Sequence, residues 1–176
     1  MNKIYIRPYS SPIGNLIIGI CDNRLCLLDW QYRKQREAID HRITNHLDAC
    51  YATEHHQMHD EIIEQLQGYF SKKQMTFNFP LLFSGSTFQK AVWNELMKIP
   101  YGQTITYLTL SRKLNNEKAI RAVASANGAN TLSIIVPCHR VIASNGELTG
   151  YAGGLTAKKK LLQIEGALNK GQLNLF

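Results

Sequence analysis

The segment TYLTLSRKLNNEKAIRAVASAN, residues 106–127, decides the fold of the second half of this chain. Thr106 stands where it can cap a short helix. The apolar residues of that helix are Leu108, Leu110 and Leu114. Asn115-Asn116 is typical of a turn, and residues 117–127 have the pattern of the next helix. Two short helices joined by a tight turn predict a helix-turn-helix, whose second helix normally enters the major groove of DNA.

The second of these helices is rich in small residues. They are Ala119, Ala122, Val123, Ala124, Ser125 and Ala126. A face of this kind can pack tightly against a neighbouring helix, which composition alone favours. It can also press against a narrow surface, because no long side chain stands in the way.

An apolar run from Leu132 to Val136 leads into Pro137-Cys138-His139-Arg140-Val141. A cysteine reacts as its thiolate, which a nearby base or positive charge makes accessible near neutral pH, so Cys138 is the candidate nucleophile. We predict that the run is a strand. Neighbouring side chains on a strand point to opposite faces, so His139 would reach the sulfur through a bridging water. The Cys-His pair alone would also fit a cysteine hydrolase, which turns over repeatedly.

These residues, with others on either side, resemble the O6-alkylguanine-DNA alkyltransferases, or methylated-DNA:protein-cysteine methyltransferases. The matching motifs occur in the family's order and spacing over roughly the last half of the chain. They are Pro100-Tyr101-Gly102, Thr106-Tyr107, Arg121-Ala122-Val123, Asn130, Pro137 to Val141, Tyr151-Ala152-Gly153-Gly154, Leu161-Leu162 and Glu165-Gly166. The resemblance implies DNA repair in which Cys138 accepts an alkyl group from O6 of guanine, once per molecule, without metal, nucleotide or redox cofactor.

The resemblance also assigns catalytic roles. His139 would act through water as the base for Cys138, and Glu165 would orient the opposite imidazole nitrogen. Tyr107 would donate a hydrogen bond to guanine N3 as the bond from O6 to carbon breaks, the alternative being a core tyrosine with a satisfied hydroxyl.

Contacts to the base and its surroundings follow from the same resemblance. The backbone carbonyls of Cys138 and Val141 would accept from the exocyclic amine of guanine, and the Ala152 amide would face O6, with Tyr151 beside it. Asn130 would bind backbone groups around the active-site turn and join the recognition helix to the nucleophile strand. Arg140 is predicted to be structural or phosphate-facing.

Double-stranded DNA containing alkylated guanine is the partner that the resemblance implies. The protein would act as a monomer, with the small-residue helix along the minor groove and the damaged base flipped out. Ala122 and Ser125 would lie on the DNA side. Arg121 would fill the gap left by the extruded base, the alternative being a phosphate contact.

The sequence makes three departures from the family pattern. Asn130-Thr131 stands where Asn-Pro is common, which leaves the turn without a fixed φ. Ala124 and Ser125 stand where glycine is frequent, and Ala152 replaces a serine of some members. None of these changes removes a reactive group. Alkyltransferase-like proteins, which bind the lesion without repairing it, have another residue in place of the cysteine.

Charge is distributed unevenly along the chain. Residues 1–83 hold nine Lys and Arg and nine Asp and Glu, whereas residues 84–176 hold eleven and four, so the second half carries 11 − 4 = +7, the whole formal net charge. Such a surplus is expected of a surface that meets phosphates, although solubility is an alternative. A DNA-binding or lesion-sensing module with an incidental cysteine would show the same charge and helices.

The pattern predicts an α+β protein of two domains, residues 1–83 and 84–176, with a linker at 81–85. The first would be an αβ roll of ribonuclease H-like outline with an antiparallel sheet and a support role. The second would be helical and winged-helix-like, with the helix-turn-helix. Three early strands form a meander, followed by helices near residues 35–46 and 59–70 and a strand at 75–79. A capping box at 86–89 opens a helix with Phe88, Val92, Trp93 and Leu96 facing the core.

The remaining sequence features point away from a metal and from a membrane. Cys21 and Cys26 lie in apolar strand patterns, and no Cys-x-x-Cys pair is present. The histidines at 55, 56 and 59 are expected on a solvated face. No segment approaches the roughly 18 consecutive apolar residues of a membrane span, and the N-terminus lacks a signal-peptide core, so we expect a cytosolic protein.

Overall fold

The computed structural model describes residues 1–168, which divide into two compact units. The first contains Met1–Ser86 together with Thr131–Ser133, and the second contains Thr87–Asn130 and residues 134–168. A sheet dominates the first unit and helices dominate the second, so the predicted two-domain arrangement is confirmed at this level. The end of the predicted second domain, residues 169–176, lies outside the described residues.

The first unit is built on a four-stranded sheet in the order β3-β2-β1-β4. Its strands are β1 (Asn2–Ser11), β2 (Gly14–Cys21), β3 (Arg24–Trp30) and β4 (Ala49–Ala52). The first three pair antiparallel, as the predicted meander requires, whereas β4 pairs parallel to β1. Strand β4 escaped prediction because four residues are too short to display an alternating pattern.

Helices α1 (Arg36–Leu47) and α2 (Met58–Phe70) complete this unit, close to their predicted limits. The prediction of a solvated histidine face is wrong for His59, which is fully buried in α2. Burial is possible because both ring nitrogens have partners: Nε2 donates to the Tyr5 carbonyl at 3.0 Å, and Nδ1 accepts from the His56 amide at 3.2 Å.

Residues 75–79 do not form the predicted strand. Side chains occupy the backbone groups that a strand would need: the Gln74 amide donates to a carbonyl of this segment at 2.7 Å, and the Gln65 amide accepts from an N–H at 3.2 Å. The chain meets the sheet further on, where Leu81 bridges Leu25.

The second unit contains most of the helices. They are α3 (Thr87–Leu96), α4 (Tyr107–Lys113), α5 (Ile120–Gly128) and α6 (Leu155–Ile164). Two short strands, β5 (Ile105–Thr106) and β6 (Val141–Ile142), pair in parallel. Thr106 caps α4 as predicted, since its hydroxyl accepts from the Thr109 amide at 3.1 Å. Helix α3 buries three of its predicted core residues, but Phe88 is 39% exposed, so its assignment to the core is wrong.

The apolar run before the candidate nucleophile is not the predicted strand. Leu132 makes an isolated bridge, the following residues turn, and Ile134 adopts a φ of 74°, which is unfavourable for a β-branched residue. A single turn of 3₁₀-helix then spans Cys138–Arg140. Every residue from 130 to 142 is buried, so burial of a connecting segment, rather than strand pairing, accounts for its apolar composition.

None of the helices within residues 1–168 is both long enough and apolar enough to span a membrane.

Candidate active site

Cys138 borders a cavity of about 450 Å³ in the second unit, where its side chain is almost completely buried. The lining residues are Tyr107, Ala124, Asn127, Gly128, Cys138, Thr149, Gly150, Tyr151 and Ala152. Helices α4 and α5, the 3₁₀ turn and the loop before α6 therefore meet at the sulfur. The volume lies within the range of cavities that enclose small organic ligands.

The sulfur has a hydrogen-bond donor beside it. The Asn130 side-chain amide is 3.2 Å from Sγ of Cys138 and also donates to the Val136 carbonyl at 3.0 Å. A donated N–H favours the thiolate over the neutral thiol. Because Asn130 follows directly after α5, this amide ties the end of that helix to the turn that carries the nucleophile.

His139 and Glu165 form a buried pair, with Nε2 of the imidazole 2.7 Å from the carboxylate. Because a carboxylate can only accept, Nε2 carries the proton and Nδ1 keeps a lone pair. Among residues 1–168, Nδ1 has no hydrogen-bond partner. Burial lowers the pKa of His139, and the hydrogen bond and charge of Glu165 oppose that change only in part. The arrangement therefore supplies a neutral imidazole that is ready to accept a proton.

Arg140 holds the carboxylate of this pair. Its guanidinium contacts both Glu165 oxygens, at 2.8 and 3.0 Å, and donates to the Ile99 carbonyl at 2.6 Å. Burial opposes ionisation of Glu165, but its bonds to His139 and Arg140 outweigh this effect and hold its pKa well below the usual value. Of the two alternatives for Arg140, the structural one agrees with these buried contacts.

Tyr101 and Gly102 determine where Glu165 lies. Gly102 has a φ of 76°, and a Cβ atom there would come within 2.9 Å of the Glu165 carbonyl. Its amide makes a long contact of 3.5 Å to the carboxylate, and the Tyr101 hydroxyl donates to the Ile164 carbonyl at 3.1 Å. The Pro-Tyr-Gly motif thus holds the end of α6, where Glu165 is the C-cap.

Lys158 is a component of the site that sequence reasoning missed. Its ammonium is fully buried and donates to the carbonyls of Val141 at 2.6 Å and Thr149 at 2.7 Å. Burial lowers its pKa to about 8, and the nearby Cys138 opposes the change. Three consecutive lysines suggest a solvated face. The available signal was helical spacing, since Lys158 precedes the buried residues Leu161 and Leu162 by three and four positions.

Helix α5 presents different faces to different surroundings. Val123 and Ala126 are buried, and the Ala126 carbonyl accepts from the Trp93 indole at 2.8 Å. The candidate DNA contacts Arg121, Ala122 and Ser125 are exposed and do not line the cavity. The small residues of this helix therefore serve close packing on one side and leave an exposed, low surface on another.

The other predicted residues lie in or next to the cavity. Tyr107, Tyr151 and Ala152 line it, and Tyr151 makes an edge contact with His139 at 6.3 Å between ring centroids. Val141 is buried, and its carbonyl accepts from Lys158. Among the described residues, no three or more His, Cys, Asp or Glu side chains lie close enough together to hold a metal ion.

Two family models match this chain. The model described as the ribonuclease-like domain of 6-O-methylguanine DNA methyltransferase matches residues 4–83, and the model described as the DNA binding domain of the same protein matches residues 87–167.

Similar proteins cover nearly the whole chain. A methylated-DNA–protein-cysteine methyltransferase of Methanosarcina acetivorans is 39% identical over 93% of this chain and 99% of its own length. A constitutive methyltransferase of the same name from Bacillus subtilis is 40% identical over 92% of this chain and 94% of its own length. The crystal structure of Mycobacterium tuberculosis OGT in complex with DNA superimposes with a TM-score of 0.78 at 33% identity and covers 93% of both chains.

Proposed function

Because this chain belongs to the 6-O-methylguanine DNA methyltransferase family, we propose that it repairs DNA by moving the alkyl group from O6 of guanine to its own Cys138. The sulfur attacks the alkyl carbon, the bond from that carbon to O6 breaks, and the electron pair of that bond stays with guanine. The product thioether is a poor leaving group, so each molecule acts once. The observation that carries this proposal is the cavity-lining thiol with the Asn130 amide 3.2 Å from its sulfur.

His139 generates the thiolate in this mechanism. Its unprotonated Nδ1 accepts the thiol proton through a water molecule, and Glu165 stabilises the imidazolium that forms. The 2.7 Å contact of Nε2 with Glu165 and the absence of a partner for Nδ1 within residues 1–168 support this direction of transfer. Asn130 then stabilises the sulfur anion.

The cavity holds the flipped guanine. Tyr107 donates to N3, the carbonyls of Cys138 and Val141 accept from the exocyclic amine, and the Ala152 amide faces O6. Cavity-lining positions of Tyr107 and Ala152 support these roles. The Val141 carbonyl, which already accepts from Lys158, has a second lone pair available for the amine. Tyr151 forms part of the wall.

DNA is bound through helix α5 in this proposal. The exposed small residues Ala122 and Ser125 meet the minor groove, and Arg121 enters the space that the flipped nucleotide leaves. The protein acts as a monomer. We further propose the domain limits 1–83 and 84–176, the ribonuclease H-like roll for the first domain, and a winged-helix-like second domain in which α4 and α5 form the helix-turn-helix.

Intact mass spectrometry tests the main proposal. After exposure to a duplex with one O6-methylguanine, the protein should gain the mass of one methylene group, and peptide mapping should place it on Cys138. The reaction should stop at one methyl group per protein molecule. Cys138→Ala should gain no mass and leave the lesion in the DNA. Repair that continues beyond one lesion per molecule, or that survives in Cys138→Ala, would refute the proposal.

A further inference from the structure

We infer that Asp29 and Ser133 are positioning residues, which fix the register in which residues 131–133 pair with strand β3. The chain on either side of this segment carries the Cys138 sulfur and the amide that donates to it. This role rests on the proposed function, since it concerns the placement of the nucleophile. Neither residue belongs to the set that the sequence assigned to the site.

The segment 131–133 belongs to the first unit, although the chain before and after it belongs to the second. Asn130, directly before the segment, has its amide 3.2 Å from the Cys138 sulfur. Cys138 itself follows the end of the segment by five residues. Because the chain is continuous, a shift of the segment along β3 would displace the donor and the sulfur relative to each other.

The segment pairs with an edge of the sheet, where β3 is the outermost strand. The Leu28 amide donates to the Thr131 carbonyl at 2.8 Å, and the Ser133 amide donates to the Leu28 carbonyl at 2.7 Å. Leu28 and Leu132 thereby form an isolated parallel bridge. These two bonds do not define the register by themselves, because neighbouring residues offer the same backbone groups.

A side-chain contact distinguishes one register from the others. Asp29 is fully buried in β3, and its Oδ1 accepts from the Ser133 hydroxyl at 3.4 Å. Its Oδ2 accepts from Arg33 at 2.9 Å and from Arg36 at 2.8 Å. The two guanidinium groups hold the carboxylate in one orientation, so Oδ1 stays directed at the segment.

The residues beside Ser133 show why this contact selects a single register. A shift by one residue in either direction would place Leu132 or Ile134 opposite Asp29, and neither side chain can donate a hydrogen bond. Ile134 also has a φ of 74°, which a β-branched residue keeps only where its surroundings hold it. The chain is therefore fixed at Ser133 immediately before it turns toward the nucleophile.

Stability alone does not explain a carboxylate at this position. Asp29 lies between Leu28 and Trp30, which are both fully buried, and the cost of removing its charge from water offsets the attraction to the two arginines. The best attested use of such buried polar groups is to select one register among several. The polar contact lies at the place where residues 131–133 join the sheet.

Two substitutions of equal size isolate the hydroxyl of Ser133. Ser133→Thr keeps the hydroxyl, whereas Ser133→Val puts a methyl group in its place. Single-turnover transfer from a methylated duplex should be about tenfold slower in Ser133→Val than in Ser133→Thr, the loss expected for one hydrogen bond to a charged group.

Reaction of Cys138 with iodoacetamide reports on its position without DNA. Peptide mapping separates this thiol from the exposed Cys50. Because the Asn130 amide favours the thiolate, its displacement in Ser133→Val should move the rising limb of the rate against pH to higher pH than in Ser133→Thr. In an Asn130→Ala background, Ser133→Val should cause no further displacement.

Asp29→Leu is a second test, and Asp40→Leu is its matched control. Both carboxylates bind Arg36 at 2.8 Å, but the other side-chain partner of Asp40 is Tyr51 instead of Ser133. Both substitutions should lower the melting temperature. Only Asp29→Leu should slow transfer by about tenfold and displace the iodoacetamide curve.

The outcomes separate the possible failures. Equal transfer rates or coincident iodoacetamide curves in Ser133→Val and Ser133→Thr would overturn the inference. Further displacement in the Asn130→Ala background, or an Asp40→Leu protein as slow as Asp29→Leu, would also overturn it. If Asp29→Leu does not fold, the two Ser133 variants decide alone. A natural protein that reacts with iodoacetamide at Cys138 but takes no methyl group from the duplex would instead contradict the proposed function.

Discussion

At the scale of single residues, the site depends on a chain of buried polar contacts behind the nucleophile. Arg140 donates to the Glu165 carboxylate, which also accepts from Nε2 of His139 at 2.7 Å. Nδ1 of His139 has no hydrogen-bond partner within residues 1–168 and can accept a proton. Both buried charges in this series of contacts, on Arg140 and on Glu165, have partners, as a charge in a desolvated interior requires. The sequence alone made Glu165 look like an ordinary carboxylate near a helix end, and only the resemblance selected it.

Replacing Glu165 by Gln tests this chain at the level of acid–base chemistry. Burial lowers the pKa of His139 and Glu165 raises it, so loss of the carboxylate charge should lower that pKa further and make the imidazole a weaker base. The rate of transfer at neutral pH should fall by about tenfold or more, and the rising limb of the rate against pH, which follows deprotonation of His139, should move to lower pH. The measurement is transfer from free O6-benzylguanine across the pH range.

A Glu165→Gln protein with an unchanged curve would remove this residue from the relay. A uniform loss of rate with no displacement along the pH axis would assign Glu165 a purely structural role with Arg140.

At the scale of elements, helix α5 combines tasks that its composition alone could not distinguish. One side packs on Trp93, another lines the cavity through Ala124 and Asn127, and Arg121 projects from an exposed position. In the sequence, these small side chains were compatible either with close packing against a neighbouring helix or with contact to a groove of DNA. One helix can serve both purposes, because residues three or four positions apart lie on the same face and the residues between them lie on other faces.

Arg121→Ala should separate base flipping from general binding to DNA. Transfer from a methylated duplex should slow by at least about tenfold, whereas transfer from free O6-benzylguanine should stay within about twofold, because a free base needs no extrusion. The two second-order rate constants are measured side by side.

The comparison variant is Arg24→Ala, which removes the same charge from an exposed ion pair in the first unit. Equal slowing of both substrates by Arg121→Ala would contradict its role in flipping. If Arg24→Ala slows transfer from the duplex as much as Arg121→Ala does, the loss of one positive charge explains the effect.

At the scale of the whole molecule, the surplus positive charge and the candidate nucleophile lie in the same half of the chain. Residues 84–176 carry the entire surplus of +7, as counted from eleven basic and four acidic residues, and the second unit holds the cavity with Cys138. Contacts to phosphates release counterions, so binding that uses this surplus weakens as salt is added.

We therefore expect salt to affect the two substrates differently. Raising salt from about 50 to about 200 mM should slow transfer from the duplex at least about tenfold under subsaturating conditions, while transfer from the free base should change little. Measuring both rates in the same salt series provides the internal control. A parallel decline would locate the salt effect in the protein's chemistry or folding instead of in DNA binding.

Much of the architecture could be predicted from the sequence, because it depends on local patterns. Alternation around turn signals predicted β1 to β3, and helical spacing with the Thr106 cap predicted α2 and α4. The predictions failed where tertiary contacts replaced local preference. The side chains of Gln65 and Gln74 form hydrogen bonds with backbone groups of residues 75–79. A buried turn stands before Cys138 in place of the predicted strand.

The sequence by itself determined the two-domain plan, the family resemblance and the identity of the candidate nucleophile, because these reside in residue types and short spacings. Only the tertiary structure decided which groups surround the sulfur. Lys158 and Thr149 are distant from Tyr107 along the chain and carry no local signal of function. Their hydrogen bonds arise from folding, which brings α4, α5, α6 and the loop before α6 around one cavity.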